Sequence, residues 1–312
     1  MTNQKENIVL LGDGFFARGF LHHINYNKFF ITQIYKDKFI NPQDMMYSLQ
    51  RNIKYDNPIH FRDFITKGPN KKIEKEIQTI EIDKTKPNVY INNEYIFNYD
   101  YLVIGLGSQK SLNDWKNQIN NLVDENDKSI GVVGMGPSGV ELGLILSKNN
   151  QIHLFDMFTQ DKILTYFSSS NKKYILDLFN SKNISTTFGK PFINSDHNFN
   201  QVLFCGGSRP NQITSNLEVN NHLQLVGYKN IYLGGDAINL GYPKTAQVAY
   251  QQGAYVAKRL NGEISNDQPF QYKHNGISLN IGDKKVLIEG HNIIPNGVYP
   301  DFIIKLYSIF CI

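Results

Sequence analysis

Residues 8–17 read IVLLGDGFFA, and residues 130–139 read IGVVGMGPSG. In both stretches an apolar run typical of a buried strand leads through a glycine turn into the start of a helix. Each stretch is followed by a second strand that ends in glycines, since residues 101–107 read YLVIGLG and residues 202–207 read VLFCGG. One G-x-G-x-x-G turn is a weak signal, but two copies with closing strands predict two dinucleotide-binding domains.

Three positions in each turn carry this prediction. They are Gly12, Gly14 and Ala17 in the first copy and Gly134, Gly136 and Gly139 in the second. The first position makes the tight turn, the second lets the backbone approach a pyrophosphate, and the third must be small so that helix and strand can pack. Gly107 and Gly207, which end the closing strands, are predicted to contact the same cofactors.

Two later phrases point to a flavin: residues 233–237 read LGGDA, and residues 242–253 read YPKTAQVAYQQG. Gly235 and Asp236 place a carboxylate where a ribityl chain can lie, although Asp236 could instead cap the next helix. We expect that helix to begin at Pro243, because proline is tolerated at the first helical position. Its N–H groups near Thr245 and Ala246 would then face the negatively charged flavin edge.

The order of these phrases predicts an α/β fold with two Rossmann-like dinucleotide-binding domains, the NAD domain inserted in the FAD domain, and a short C-terminal extension. The predicted boundaries are 1–113 for the first part of the FAD-binding domain, 114–218 for the NADH-binding domain, 219–265 for the second part of the FAD-binding domain, and 266–312 for a C-terminal hairpin and tail. Residues 72–100 read as extended segments of an inserted meander. Residues 108–128 are polar and are expected to connect the domains.

The nucleotide preference depends on Asp156, which ends an apolar strand 17 residues after Gly139. A carboxylate there accepts a hydrogen bond from a ribose 2′-OH and repels a 2′-phosphate, so the sequence predicts NADH rather than NADPH. The alternative is a solvated acid at a strand end. In the first copy the corresponding position is Tyr35.

Bulk composition excludes several function classes. The 312 residues contain 32 Lys+Arg and 28 Asp+Glu, for a net charge of +4 without a long basic run, so nucleic-acid binding is not expected. The two cysteines, Cys205 and Cys311, cannot form a CxxC dithiol, and the eight histidines lack metal-ligand spacing. The polar N-terminus fits neither a signal nor a transit peptide, so we expect a cytoplasmic or membrane-peripheral protein.

On these residues the chain resembles the type II NADH dehydrogenases, single-chain NADH:quinone oxidoreductases. The resemblance is strongest at residues 246–251, AQVAYQ, which fit that family's AQxxxQ quinone-site signature. Similar phrases lie at residues 99–104, 134–141, 217–220 and 269–273. The resemblance implies FAD in the first domain, NADH in the second, hydride transfer from NADH to the flavin, and two electrons passed on to a quinone.

The resemblance also implies roles for three side chains. Gln247 and Gln251, four residues apart on one helix face, would border flavin and quinone, whereas the simpler alternative is a solvated stripe. Glu141 would lie near the flavin and relay protons to the quinone, or would only interact with its helix dipole.

Departures from the family pattern keep other functions open. Tyr35 stands where an acid often binds the FAD ribose, Leu106 replaces a usual threonine, and the chain is shorter than typical members. The alternatives are a flavin reductase like apoptosis-inducing factor, which Lys244 favours, a non-catalytic FAD-binding protein, and a soluble NADH oxidase.

The apolar C-terminal stretch permits two interpretations. Phe302, Leu306, Ile309 and Phe310 follow helical spacing. Such a stripe either packs against its own domain or forms an interfacial helix that contacts a membrane, where a lipid-soluble quinone would be found. A homodimer is also compatible with the sequence.

Overall fold

The computed structural model describes residues 4–36, 42–55, 68–108, 112–283 and 286–288. In chain order its elements are β1 (Glu6–Leu11), α1 (Phe15–His23), β2 (Phe29–Tyr35), α2 (Pro42–Gln50), β3 (Lys71–Glu74), β4 (Ile80–Ile82), β5 (Asn88–Ile91), β6 (Tyr95–Asn98), β7 (Tyr101–Ile104), α3 (Leu112–Asn121), β8 (Ser129–Val133), α4 (Pro137–Leu146), β9 (Gln151–Asp156), α5 (Ser169–Ser181), β10 (Ser185–Phe188), β11 (Gln201–Phe204), β12 (Ile231–Leu233), α6 (Ala246–Asn261), β13 (Ser278–Asn280) and β14 (Val286–Ile288).

The first sheet is parallel, with strand order β12-β7-β1-β2-β3. Its central strands are buried on both faces, which explains the unbroken apolar run that ends at Leu11. Helices α1 and α6 cross beside this sheet in direct backbone contact. A Cβ at Gly19 would collide with the Tyr250 carbonyl, and a Cβ at Gly253 with the Phe16 carbonyl. These two glycines therefore allow the backbones of α1 and α6 to come into direct contact.

The second sheet is also parallel, with strand order β10-β9-β8-β11, and α4 packs against it. It lies within the chain between the strands of the first sheet, because β12 returns to pair with β7. The predicted α/β fold with one Rossmann-like domain inserted in the other is confirmed.

The second core draws on segments that the sequence places elsewhere. Trp115 and Ile119 of α3 are buried with the second sheet, so residues 108–128 are more than the polar connection expected. Met45 and Leu49 of α2 belong to the same core, although they fall in the range predicted for the first domain. The hairpin of β13 and β14 adds Leu279 from the C-terminal side.

The predicted meander is present between β3 and β7. Strands β4, β5 and β6 form an antiparallel three-stranded sheet. The β5–β6 turn is made by Asn92 and Asn93, both in the left-handed region with φ of 56° and 57°. Asparagine tolerates that conformation better than most residues.

The predicted helix start at Pro243 is wrong. Helix α6 begins at Ala246, and Thr245 is its N-cap, with the Thr245 hydroxyl accepting a 3.3 Å hydrogen bond from the Val248 N–H. The capping hydroxyl therefore sets the helix start. The helix ends at Asn261, and Gly262, with a φ of 83°, is its left-handed C-cap.

Among the described residues, none of the helices is both long enough and apolar enough to cross a membrane. The C-terminal stretch for which the sequence leaves membrane contact open, residues 298–312, lies outside the described residues.

Candidate dinucleotide sites

The first glycine turn joins β1 to α1 at the carboxyl edge of the first sheet. Gly12 has a φ of +108°, and a Cβ there would collide with the Gly105 carbonyl oxygen. Gly14 has an ordinary φ of −77°, and a Cβ built on it meets no atom within 4 Å. Ala17 is fully buried. The turn thus has the closed first glycine and the open second glycine that a pyrophosphate site requires.

The second glycine turn repeats this geometry between β8 and α4. Gly134 has a φ of +103°, and its Cβ would lie 2.5 Å from the Gly206 nitrogen. A Cβ at Gly139 would collide with the Gly134 carbonyl, so the third position of this copy requires glycine itself. Gly136 faces open space.

The closing strands end beside these turns. Gly107 and Gly207 both have left-handed φ values, of 72° and 69°, and a Cβ at either would meet no atom within 4 Å. These two glycines therefore leave the same kind of space beside each turn.

The carboxylate of Asp236 follows β12 in a short 3-10 turn formed by residues 235–237. Burial raises its pKa, and the nearby Lys244 ammonium opposes that shift. Its one hydrogen bond among the described residues is a long 3.5 Å contact from the Ser208 hydroxyl. A half-buried carboxylate with so little protein hydrogen bonding is suited to accept ligand hydroxyls.

Gly235 and helix α6 are held together at this edge. The side-chain oxygen of Gln252 accepts a 2.7 Å hydrogen bond from the Gly235 N–H. As at the start of any helix, the first-turn N–H groups of α6, such as that of Ala246, have no intrahelical acceptor, although the Thr245 cap pairs with one further along. The first turn of α6 lies close to the Gly235 turn, because a Cβ at Gly235 would lie 3.5 Å from the Ala249 Cβ.

The two signature glutamines contact the chain segment 271–276, which we call the strap. Gln247 accepts hydrogen bonds from the Tyr272 hydroxyl at 2.5 Å and the Asn275 N–H at 3.1 Å. Gln251 pairs with the Lys273 backbone in both directions, at 2.8 and 3.0 Å. The strap thus lies along the helix face that the sequence predicts to border the acceptor.

Asp156 lies at the end of β9 with its carboxylate facing the second glycine turn. One oxygen accepts a 2.7 Å hydrogen bond from the Met135 N–H and the other a 2.9 Å bond from the Phe158 N–H. Both donors are neutral backbone groups, and they hold the charge beside the open Gly136. This geometry differs from that of a freely solvated strand-end acid.

Glu141 extends from α4 beneath the C-terminal hairpin. Glu141 is half-buried, and its carboxyl group accepts a 2.8 Å hydrogen bond from the Asn280 N–H. Burial raises the pKa of Glu141 to about 7, and the Asn280 bond opposes that shift only in part. Glu141 therefore carries a proton during part of the time at neutral pH.

This pKa predicts a pH-dependent stability. Because the folded-state pKa of about 7 exceeds the ordinary 4.5, the folded protein binds a proton that the unfolded chain releases. As the pH rises from 4.5 to 7, the free energy of unfolding should therefore fall, by up to about 3 kcal/mol relative to Glu141→Gln. Urea unfolding from pH 4.5 to 8 measures the difference. Equal pH dependence in the wild type and Glu141→Gln would refute it, and the exposed Glu81→Gln is the control.

Two residues of the first site lack an evident sequence signal. The Phe16 ring packs against Gly105, Gly234 and Gly235, where a Cβ on Gly234 would collide with the ring. Gln33 is buried, and its amide donates to the Gly12 carbonyl at 2.9 Å and the Asp13 carboxylate at 3.1 Å. The available hint was that Gln33, together with Thr32, interrupts the otherwise apolar and aromatic β2.

The fold and these sites define a protein with two dinucleotide-binding domains, each with its own glycine turn. A family model described as pyridine nucleotide-disulphide oxidoreductase matches residues 7–253. The chain belongs to this oxidoreductase family.

Curated relatives and solved structures are similar to this chain over most of its length. The chain is 24% identical over 329 residues to the NADH dehydrogenase-like protein YutJ of Bacillus subtilis, covering 89% of this chain and 91% of that protein. It is 22% identical over 317 residues to a type II NADH:quinone oxidoreductase of Staphylococcus aureus, covering 78% and 75%. The structure of NDH2 from Plasmodium falciparum in complex with NADH superposes with a TM-score of 0.73 at 15% identity, covering 99% and 95%. The resemblance inferred from the sequence is confirmed.

Proposed function

We propose that this protein is an FAD-dependent oxidoreductase that oxidises NADH and passes two electrons to a quinone. The observation that carries the proposal is the pair of glycine turns, in which Gly14 and Gly136 both face space free of protein atoms. The type II NADH:quinone oxidoreductase of Staphylococcus aureus and the NADH dehydrogenase-like protein of Bacillus subtilis support the substrate assignment.

The FAD site would be built from the first turn and the β12–α6 edge. Gly12 would make the tight turn, Gly14 and Gly107 would leave room for the pyrophosphate, and Asp236 would accept hydrogen bonds from ribityl hydroxyls. The positive end of α6 at Ala246 would stabilise negative charge on a flavin bound there. FAD supplies the redox chemistry when bound, and the protein supplies position and electrostatics.

The NADH site would be built from the second turn. Gly134 would make the tight turn and Gly136 and Gly207 would leave room for the pyrophosphate. Asp156 would accept hydrogen bonds from the adenosine ribose and disfavour a 2′-phosphate. Glu141, whose pKa is about 7, is suited to hold the proton that quinone reduction consumes.

An anaerobic spectrum of the purified protein tests the proposal. NADH should bleach the flavin band, and a short-chain quinone should restore it. A protein that is colourless as purified and binds no added FAD would refute the flavin assignment. A yellow protein that NADH does not bleach would be a non-catalytic flavin-binding protein.

The strap favours a second candidate, electron transfer to oxygen or another acceptor that does not contact the signature glutamines. The amides of Gln247 and Gln251 are both already hydrogen-bonded to strap residues. A quinone that uses these amides must displace those bonds, whereas a small acceptor need not. Restoration of the bleached band by air but not by quinone would favour this candidate.

The Gln247→Ala variant tests the quinone site directly. We expect the KM for quinone to rise about fivefold, since a lost hydrogen bond contributes about 1 kcal/mol, while the rate of flavin bleaching by NADH stays unchanged. Steady-state and stopped-flow kinetics measure the two quantities, with the exposed Gln78→Ala as the matched control. Unchanged quinone kinetics would remove Gln247 from the acceptor site.

A further inference from the structure

The two domains pair the ends of their second and third strands in the same way. In the first domain Tyr35, the last residue of β2, is the register partner of Glu74, the last residue of β3. In the second domain Asp156, the last residue of β9, is the register partner of Phe188, the last residue of β10. Each pair contains one acid and one aromatic residue, but the two classes have exchanged strands.

The glycine turns show that these positions correspond. The Gly12 N–H donates a 2.8 Å hydrogen bond to the Ile34 carbonyl, and the Gly134 N–H donates a 2.7 Å bond to the Phe155 carbonyl. Tyr35 follows Ile34 directly, as Asp156 follows Phe155. The aromatic residue in the first domain therefore occupies the place of the acid in the second.

Glu74 lies on the side of the sheet that faces the first turn. Register partners on adjacent parallel strands point to the same face, with the strands only about 4.8 Å apart. Gln33 is two residues before Tyr35 and so shares its face. The Gln33 amide reaches Gly12 and Asp13, which identifies this as the face beside the turn.

The Glu74 carboxylate is available to a ligand. The side chain is exposed, and among the described residues no hydrogen bond or ion pair engages it. Burial raises the pKa of Tyr35, with further contributions from the charges of Glu74 and Asp13. The Tyr35 hydroxyl therefore stays protonated, on the residue that is the register partner of Glu74.

We propose that Glu74 supplies the carboxylate that accepts a hydrogen bond from the adenosine ribose of FAD, one strand away from the position that the acid occupies in the second domain. This inference rests on the proposed FAD function. Tyr35 would form the apolar wall of the ribose site, and Phe188 is placed to do the same beside Asp156, its register partner. The acid that is missing at position 35 is then replaced by Glu74 on the neighbouring strand, at the same edge of the sheet.

Binding measurements on apoprotein stripped of flavin test this inference. The affinities for FAD and FMN, followed by flavin fluorescence, separate the two halves of the cofactor, because FMN lacks the adenosine ribose. Glu74→Gln should weaken FAD binding about tenfold or more, as expected for a lost hydrogen bond to a charged group, and leave FMN binding unchanged. The exposed Glu81→Gln in the same domain is the matched control.

A rescue variant moves the acid back to β2. Adding Tyr35→Glu to Glu74→Gln should restore most of the lost FAD affinity, and thermal unfolding reports whether each variant stays folded. Wild-type affinity for FAD in Glu74→Gln, or an equal loss for FAD and FMN, would overturn the inference while the FAD function stands. Failure of the wild-type apoprotein to bind FAD at all would instead overturn the proposed function.

Discussion

Gly14→Val should remove most of the flavin from the purified protein. The φ of Gly14 is −77° and a Cβ there meets no protein atom within 4 Å, so the fold tolerates a side chain. The isopropyl group would occupy the space proposed for the pyrophosphate. Forced insertion of methyl groups costs about 1–3 kcal/mol, and each ~1.4 kcal/mol is tenfold in affinity, so FAD binding should weaken by about tenfold or more.

The flavin-to-protein ratio and the Kd for added FAD measure this loss. Gly68→Val is the matched control, because Gly68 is exposed, has no left-handed φ and has only the end of the Lys72 side chain within 4 Å of a Cβ. A yellow Gly14→Val protein with one flavin per chain would place the pyrophosphate elsewhere.

The Asp156→Ala variant should lose the preference for NADH over NADPH that we propose. The charged acceptor proposed for the adenosine ribose disappears, and the Met135 N–H of the turn loses its 2.7 Å partner. A hydrogen bond to a charged group contributes about 1.5–3 kcal/mol, so the KM for NADH should rise by about tenfold or more. The activity ratio of NADPH to NADH should rise as well, because the repulsion of a 2′-phosphate is removed.

Initial rates with each nucleotide and one acceptor measure both effects. Asp177→Ala, at an exposed acid on α5 of the same domain, is the matched control. Flavin content should be unchanged in both variants. An Asp156→Ala protein with wild-type kinetics for NADH would show that the Met135 contact is purely structural.

Local signals account for what the sequence predicts well. The glycine turns can be recognised in the sequence because Gly12 and Gly134 need positive φ values and close backbone approach, which only glycine permits. The parallel sheets follow from apolar runs buried on both faces. Asp156 and Asp236 are predicted as site residues from their positions after apolar strands, and the structure places Asp156 at the end of β9 and Asp236 just after β12.

Long-range packing was not predictable in the same way. The contact between Glu141 and Asn280 joins residues 139 positions apart, and the sequence around either residue does not indicate that the other will be its partner. Likewise, the apolar residues of α2 and α3 show that a face must be buried, but not which core receives it. The start of α6 was misplaced because a capping threonine and an earlier proline both compete for the boundary.

The second core has a consequence for how the chain folds as it is made. It combines α2 near the N-terminus, α3, the inserted sheet and the Leu279 and Leu287 side chains of the last described hairpin. Domains that are contiguous in sequence can fold as soon as they leave the ribosome. Here the core of the second domain is complete only after residue 287 has been synthesised. We therefore expect that, on a ribosome stalled after α6, the second domain is still cleaved readily by proteases.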